Sequence, residues 1–139
     1  LFAGTGAVGI EAISRGAAMA LFIEQSAEGR GLIRSNVEAF ALQGRTKLFR
    51  RDAARMGEVG TMEPFDFVFA DPPYGKGLAE RALASLRDGG WLKPQALVVV
   101  EEAANACFAP PQGFALADTR DFGDTRMYFM MCEGDGRPG

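Results

Sequence analysis

The turn Gly4-Thr5-Gly6-Ala7-Val8-Gly9 constrains this chain more than any other stretch. It follows Leu1-Phe2-Ala3, which reads as the tail of a first strand, and it opens a helix over Ala7–Arg15 that Gly16 stops. Glycines at G-x-G-x-x-G spacing let the backbone turn sharply, approach a ligand closely and pack a helix tightly on a strand. Glu24, 20 residues beyond Gly4, ends a second apolar strand, Ala18–Glu24. An acid at that place can accept from ribose hydroxyls, which raises the turn above mere helix–strand packing.

Apolar runs and helical patterns alternate through the rest of the chain. Leu32, Ile33, Val37, Phe40 and Ala41 place a helix over Ala27–Leu42, ended by Gly44, and a short third strand spans Thr46–Arg51. The run FDFVFA, Phe65–Ala70, suits a buried central strand that stops at Asp71-Pro72-Pro73, since proline cannot donate to a ladder. A helix over Gly77–Leu86, leaving through Asp88-Gly89-Gly90, and a strand over Ala96–Val100 come next. Phe114–Phe122 and Thr125–Cys132 form a hairpin about Gly123-Asp124. The pattern predicts an α/β, Rossmann-like fold: a mostly parallel central sheet, helices on both faces and a C-terminal antiparallel hairpin. One domain is expected over residues 1–133, with residues 134–139 as a flexible tail.

Composition excludes several classes. The chain has 139 residues and is 47% hydrophobic, enough for a core, yet no apolar run is long enough to span a membrane. No signal-peptide pattern opens it, and Cys107 and Cys132 read as reduced thiols, so a cytoplasmic location is expected. There is no histidine, which removes His-based triads and most zinc or iron sites; no metal is expected. The formal charge is −3, from 15 basic and 18 acidic residues, against the basic balance common in nucleic-acid binders. Because the sequence opens at Leu1 inside an apparent strand, a preceding segment is expected to be missing.

The residues around the turn favour S-adenosylmethionine over a dinucleotide. Phe2-Ala3-Gly4-Thr5-Gly6 is similar to the F-x-G-x-G turn of class I methyltransferases. A methionine tail needs close backbone contact rather than a pyrophosphate seat. Asp52, at the end of the third strand, is either an acceptor for the adenine amine or a solvated strand end.

The second candidate site is Asp71-Pro72-Pro73-Tyr74. The lone pair of an exocyclic base amine is delocalised into the ring. A carboxylate and a backbone carbonyl that accept from its N–H groups localise the pair and aim it, giving positioning and electrostatic help. Two prolines stiffen such a loop, and Tyr74 offers a face on which a base can stack. The alternative is a plain strand ended by prolines, with Asp71 as a turn residue and Tyr74 at the surface. Its place after the fourth strand is where open α/β sheets bind ligands.

Together, the F-x-G-T-G turn, Glu24, Asp52 and the Asp-Pro-Pro-Tyr loop resemble the RsmD family of bacterial 16S ribosomal RNA guanine-N2 methyltransferases. Gly9-Ile10-Glu11-Ala12-Ile13-Ser14-Arg15-Gly16-Ala17 is similar to that family's G-x-E-A-x-S-R-G-A helix, and Phe122-Gly123-Asp124-Thr125 resembles its Y-G-x-T hairpin. The resemblance implies cofactor binding by Phe2, Ala3, Gly4, Thr5, Gly6, Glu24, Asp52 and Ala53. It implies target-amine contacts by Asp71 and Pro72, stacking by Tyr74, and a monomer acting on ribosomal RNA in a small-subunit assembly particle. Phe122 departs from the family's tyrosine, and the family's basic N-terminal portion is absent.

Arg45, Lys47, Arg50, Arg51 and Arg55 cluster about the third strand, either as a phosphate-binding patch or, on balance, as a solvated sheet edge. Rival readings are an N6-adenine methyltransferase with the same catalytic residues and an NAD-dependent oxidoreductase, which leaves Asp71–Tyr74 unexplained. A non-catalytic RNA-binding factor on the same fold is the third.

Overall fold

The computed structural model describes residues 1–2, 6–72 and 77–133. The chain forms two compact units, Leu1–Ala53 and Ala54–Gly139. In the first, helix α1 (Ala7–Ser14), strand β1 (Ala20–Ile23), helix α2 (Ala27–Ala39) and strand β2 (Thr46–Phe49) follow one another. β1 and β2 pair in parallel, Ala20 opposite Thr46 and Ile23 opposite Phe49. Ile13, Ala20, Phe22, Ile33 and Val37 make the core, with Ile10, Ala17, Leu42 and Leu48 packed against it. The helix-spaced apolar residues of α1 and α2 thus meet the inward residues of β1, as their periodicity requires.

The second unit holds β3 (Phe65–Ala70), α3 (Leu78–Gly89), β4 (Leu92–Ala103), β5 (Phe114–Phe122) and β6 (Thr125–Cys132). Its sheet runs β3-β4-β6-β5; β3 and β4 are parallel, and β6 is antiparallel to both neighbours. Ala79, Ala82, Leu83 and Leu86 form the buried face of α3, and Val98, Val99, Val100 and Met130 are buried in the sheet. Trp91 is 1% exposed, and its indole N–H donates to the Gly57 carbonyl at 2.8 Å. Among the described residues no helix is long and apolar enough to cross a membrane.

The β5–β6 hairpin lies where its sequence places it, with Gly123 at φ 57° and the Thr125 hydroxyl donating to the Phe122 carbonyl at 2.9 Å. β3 also has its expected limits. Other expectations need correction. Leu1 and Phe2 are not part of a strand; Phe2 sits at φ 54°, which no strand residue can adopt. β1 and β2 are shorter than read, and α2 stops at Ala39, followed by Ala41 at φ 55°. β4 begins four residues early and runs through Pro94. A register shift against β3 and Gln95 at φ 66° accommodate the proline as a bulge. α3 continues through Gly89, because Gly90, at φ 77°, takes the left-handed cap instead. Among the described residues β1 pairs with β2 in the first unit, and β3-β4-β6-β5 pair in the second.

Candidate functional site

In the first unit the glycines act by what they leave out. Gly6 is buried at φ 78° and starts α1, its carbonyl accepting from the Ile10 N–H at 3.0 Å. A Cβ on Gly9 would lie 2.4 Å from Phe22 Cε1, so glycine there lets α1 seat closely on β1 without displacing that ring. Ala3, Gly4 and Thr5 lie outside the described residues. Phe2, half-buried at φ 54°, leads into the turn in a conformation that non-glycine residues rarely take.

Because β1 and β2 are parallel and end in register, Glu24 and Asp52 emerge beyond the same end of the sheet. The Glu24 N–H donates to the Phe49 carbonyl at 3.2 Å, tying the two strand ends. Its Oε2 accepts from Ser26 N–H at 3.1 Å and Ser26 Oγ–H at 3.0 Å. Ser26 is also the N-cap of α2, its Oγ accepting from Gly29 N–H at 3.0 Å. A Cβ on Gly29 would come within 2.8 Å of the Glu24 side chain, so that glycine admits the carboxylate to the helix N-terminus. Ala53, 4% exposed, follows half-buried Asp52 and opens a short 3₁₀ turn.

In the second unit Asp71 follows Ala70, which pairs with Val100, so Asp71 stands beside the strand end that carries Glu101 and Glu102. Pro72 behind it is fully buried. Asp71 is exposed, and no hydrogen-bond donor among the described residues reaches its carboxylate. Partial burial raises its pKa above the usual carboxylate range, and the charge of Glu102 adds to the rise. Glu101 is raised too, by burial first and then by Asp71. Glu102 is 2% exposed, and its Oε1 accepts from Ala103 N–H at 3.1 Å. Tyr74 and Pro73 lie outside the described residues.

The predicted residues therefore gather as two groups: Gly6, Glu24, Asp52 and Ala53 in one unit, Asp71 and Pro72 in the other. Ser26 and Gly29 were missed, although a serine before the helical run Ala27–Ala39, with Glu28 in its first turn, is a cap signal. Glu101 and Glu102 were missed as well. Two acids closing the apolar run ALVVV mark the end of a buried strand.

The profile of the family described as "Conserved hypothetical protein 95" matches residues 1–131. The chain is 35% identical over 139 aligned positions to the Escherichia coli (strain K12) protein named ribosomal RNA small subunit methyltransferase D. The alignment covers 96% of this chain and 68% of that protein. It is 30% identical to the protein of the same name from Haemophilus influenzae, covering 88% of this chain and 64% of the relative. Among solved structures, Haemophilus influenzae HI0767 superimposes with a TM-score of 0.83 at 28% identity, over 95% of this chain and 83% of that one. Escherichia coli yhhF gives 0.80 at 30% identity, over 96% and 73%. The fold is thus the Rossmann-like α/β fold of the methyltransferases, and the chain belongs to the Conserved hypothetical protein 95 family, the RsmD methyltransferases.

Proposed function

We propose that this chain methylates the exocyclic N2 amine of a guanine in 16S ribosomal RNA, using S-adenosylmethionine. The observation that carries the reading is the Asp71 carboxylate, exposed at the end of β3, backed by buried Pro72 and reached by no donor among the described residues. It is an acceptor left open for a substrate donor.

The first unit suits the cofactor. The left-handed Gly6, the Gly9 whose missing Cβ leaves room for Phe22 and the braced carboxylate of Glu24 fit a nucleoside with a small charged tail. Glu24 would accept from the ribose hydroxyls, Asp52 and Ala53 would meet the adenine, and Phe2–Gly6 would line the amino-acid end. When bound, S-adenosylmethionine supplies an electrophilic methyl group. The chain's own part is to orient the amine. Asp71 and the Pro72 carbonyl accept from its N–H groups and localise the lone pair, and Tyr74 stacks on the base. As the nitrogen gains positive charge, its contact with the Asp71 carboxylate strengthens, so that contact favours the transition state over the bound substrate. The choice of guanine rests on the family resemblance. The relatives named for small-subunit ribosomal RNA support RNA as the substrate. Action as a monomer, in the cytoplasm, on an assembling small-subunit particle belongs to the same reading.

The test is transfer of labelled methyl from S-adenosylmethionine to unmodified 16S ribosomal RNA and to small-subunit particles, followed by nucleoside analysis. Label in N2-methylguanosine is the expected result. Label in N6-methyladenosine would overturn the base assignment, and binding of NAD in place of S-adenosylmethionine would overturn the class.

A further inference from the structure

The Asp71 loop offers acceptors for an exocyclic amine, and the amines of adenine, cytosine and guanine would all satisfy it. The three bases differ at the ring nitrogen beside the amine. Adenine and cytosine carry a lone pair there, and guanine carries an N–H. A second acceptor set next to the first would therefore tell guanine from the other two, and the end of β4 holds one.

Ala70 and Val100 are register partners on the parallel strands β3 and β4. Asp71 and Glu101 are the residues that follow them, so two carboxylates leave neighbouring strands about 4.8 Å apart. Glu101 does not sit in a loop: β4 continues past it in its ladder with β6, where Glu101 stands opposite Met127. Its side chain is half-buried, and no donor among the described residues reaches its carboxylate. The arginines of the adjoining hairpin are engaged elsewhere, Arg120 at 3.3 Å from Asp118 and Arg126 at 2.6 Å from Asp121. Glu102, the next residue, is 2% exposed, and its Oε1 accepts from Ala103 N–H at 3.1 Å, so it is closed to an incoming base. Burial, and then the Asp71 charge, raises the Glu101 pKa; the two open carboxylates are near enough to repel each other.

We infer that Glu101 is the specificity-determining residue of this site, its carboxylate accepting from the N1–H of guanine while Asp71 accepts from the N2 amine. The inference rests on the proposed amine-methylating site and adds how that site chooses its base. Two donors side by side relieve the repulsion between the acids. Adenine or cytosine would instead set a lone pair against Glu101, so the wrong base is rejected by repulsion as well as by a missing hydrogen bond.

The experiment measures single-turnover methyl transfer by the unaltered chain, Glu101→Ala and Glu101→Gln. The substrate is 16S ribosomal RNA whose acceptor guanosine, located by nuclease mapping of the label, is either kept or replaced by 2-aminopurine riboside. That analogue keeps the amine and has a lone pair in place of N1–H. The unaltered chain should favour guanosine by about 10- to 100-fold. Glu101→Ala should transfer more slowly to guanosine and lose most of that preference. Glu101→Gln keeps an acceptor oxygen and gains an amide donor, so it should retain more transfer to guanosine than Glu101→Ala and also accept 2-aminopurine. Cofactor affinity should be the same in all three. An equal loss on both RNAs would make Glu101 a merely structural residue, and an undiminished preference in Glu101→Ala would show that the base is chosen elsewhere. Either result overturns the inference and leaves the proposed activity standing. No transfer by the unaltered chain, or label in N6-methyladenosine, would sink the proposed activity and the inference with it.

Discussion

Two acids, one in each unit, end parallel strands and are provided for in opposite ways. Glu24 is met within its own unit by Ser26 N–H and Ser26 Oγ–H, at the N-terminus of α2. Asp71 has no such donors among the described residues, stands beside Glu101 and Glu102, and has its pKa raised by burial and by Glu102. The first arrangement fixes a carboxylate in place before any ligand arrives, as suits a binding group. The second keeps a carboxylate short of favourable partners, so that a donor gaining positive charge has the most to offer it. Under the proposed function, the contrast separates a group that binds the cofactor from a group that acts on the reaction.

The comparison can be broken most visibly at Asp71. Asp71→Asn keeps the shape and one acceptor oxygen but removes the charge, and single-turnover methyl transfer should fall about 100-fold or more. A stopped reaction with labelled cofactor at saturation checks this. At Glu24 the loss should instead fall on cofactor affinity. Glu24→Ala should weaken S-adenosylmethionine binding by about 1–3 kcal/mol, as for a lost hydrogen bond to a charged group. Calorimetry reads it directly, and an unchanged affinity in the folded variant would remove Glu24 from the site.

Smaller effects sharpen the comparison through the scaffold. Gly9→Ala puts a methyl where Phe22 Cε1 lies 2.4 Å from the ideal Cβ, an overpacking that should cost about 1–3 kcal/mol in urea unfolding. Ser26→Ala removes the cap of α2 and the brace on Glu24, with a cost of about 1 kcal/mol and weaker cofactor binding. A neutral urea midpoint and full cofactor affinity in that variant would show that Glu24 is held otherwise.

The smallest effect is one of pH. Asp71 and Glu101 bind protons more tightly in the folded chain than in the unfolded one. Their contribution to stability is therefore complete below the ordinary carboxylate range, near about 4, and is lost as pH rises through the raised values. Asp71→Asn should accordingly unfold at a higher urea concentration than the parent at pH 7, with the gain shrinking as pH falls toward the ordinary range. Loss of stability at pH 7 would mean that the carboxylate has favourable partners after all.

How much of this was legible in the sequence differs between the units. Strand β3, the hairpin strands β5 and β6, and the acids at strand ends follow from apolar runs, turn residues and polarity alone. Those signals are local. The early start of β4 was hidden because Pro94 reads as a breaker, and only the bulge against β3 makes it tolerable. Gly89 looked like a helix stop, whereas it is a packing glycine: a Cβ there would meet the Gly57 carbonyl oxygen at 1.9 Å. A contact between residues 32 positions apart leaves no local trace. The same holds for the site. Glu24 and Asp71 could be named from position, but the donors on Glu24 and the acids beside Asp71 depend on pairing across strands.

The most direct test measures cofactor affinity and saturated single-turnover methyl transfer together on Asp71→Asn and Glu24→Ala. The account predicts a crossed pattern. Asp71→Asn should bind S-adenosylmethionine as the parent does and lose about 100-fold or more in transfer rate, while Glu24→Ala should bind it weakly and transfer at close to the parent rate once saturated. If Asp71→Asn instead lost cofactor binding and transferred methyl normally at saturation, Asp71 would be a cofactor ligand, and the division of labour between the two acids would be wrong.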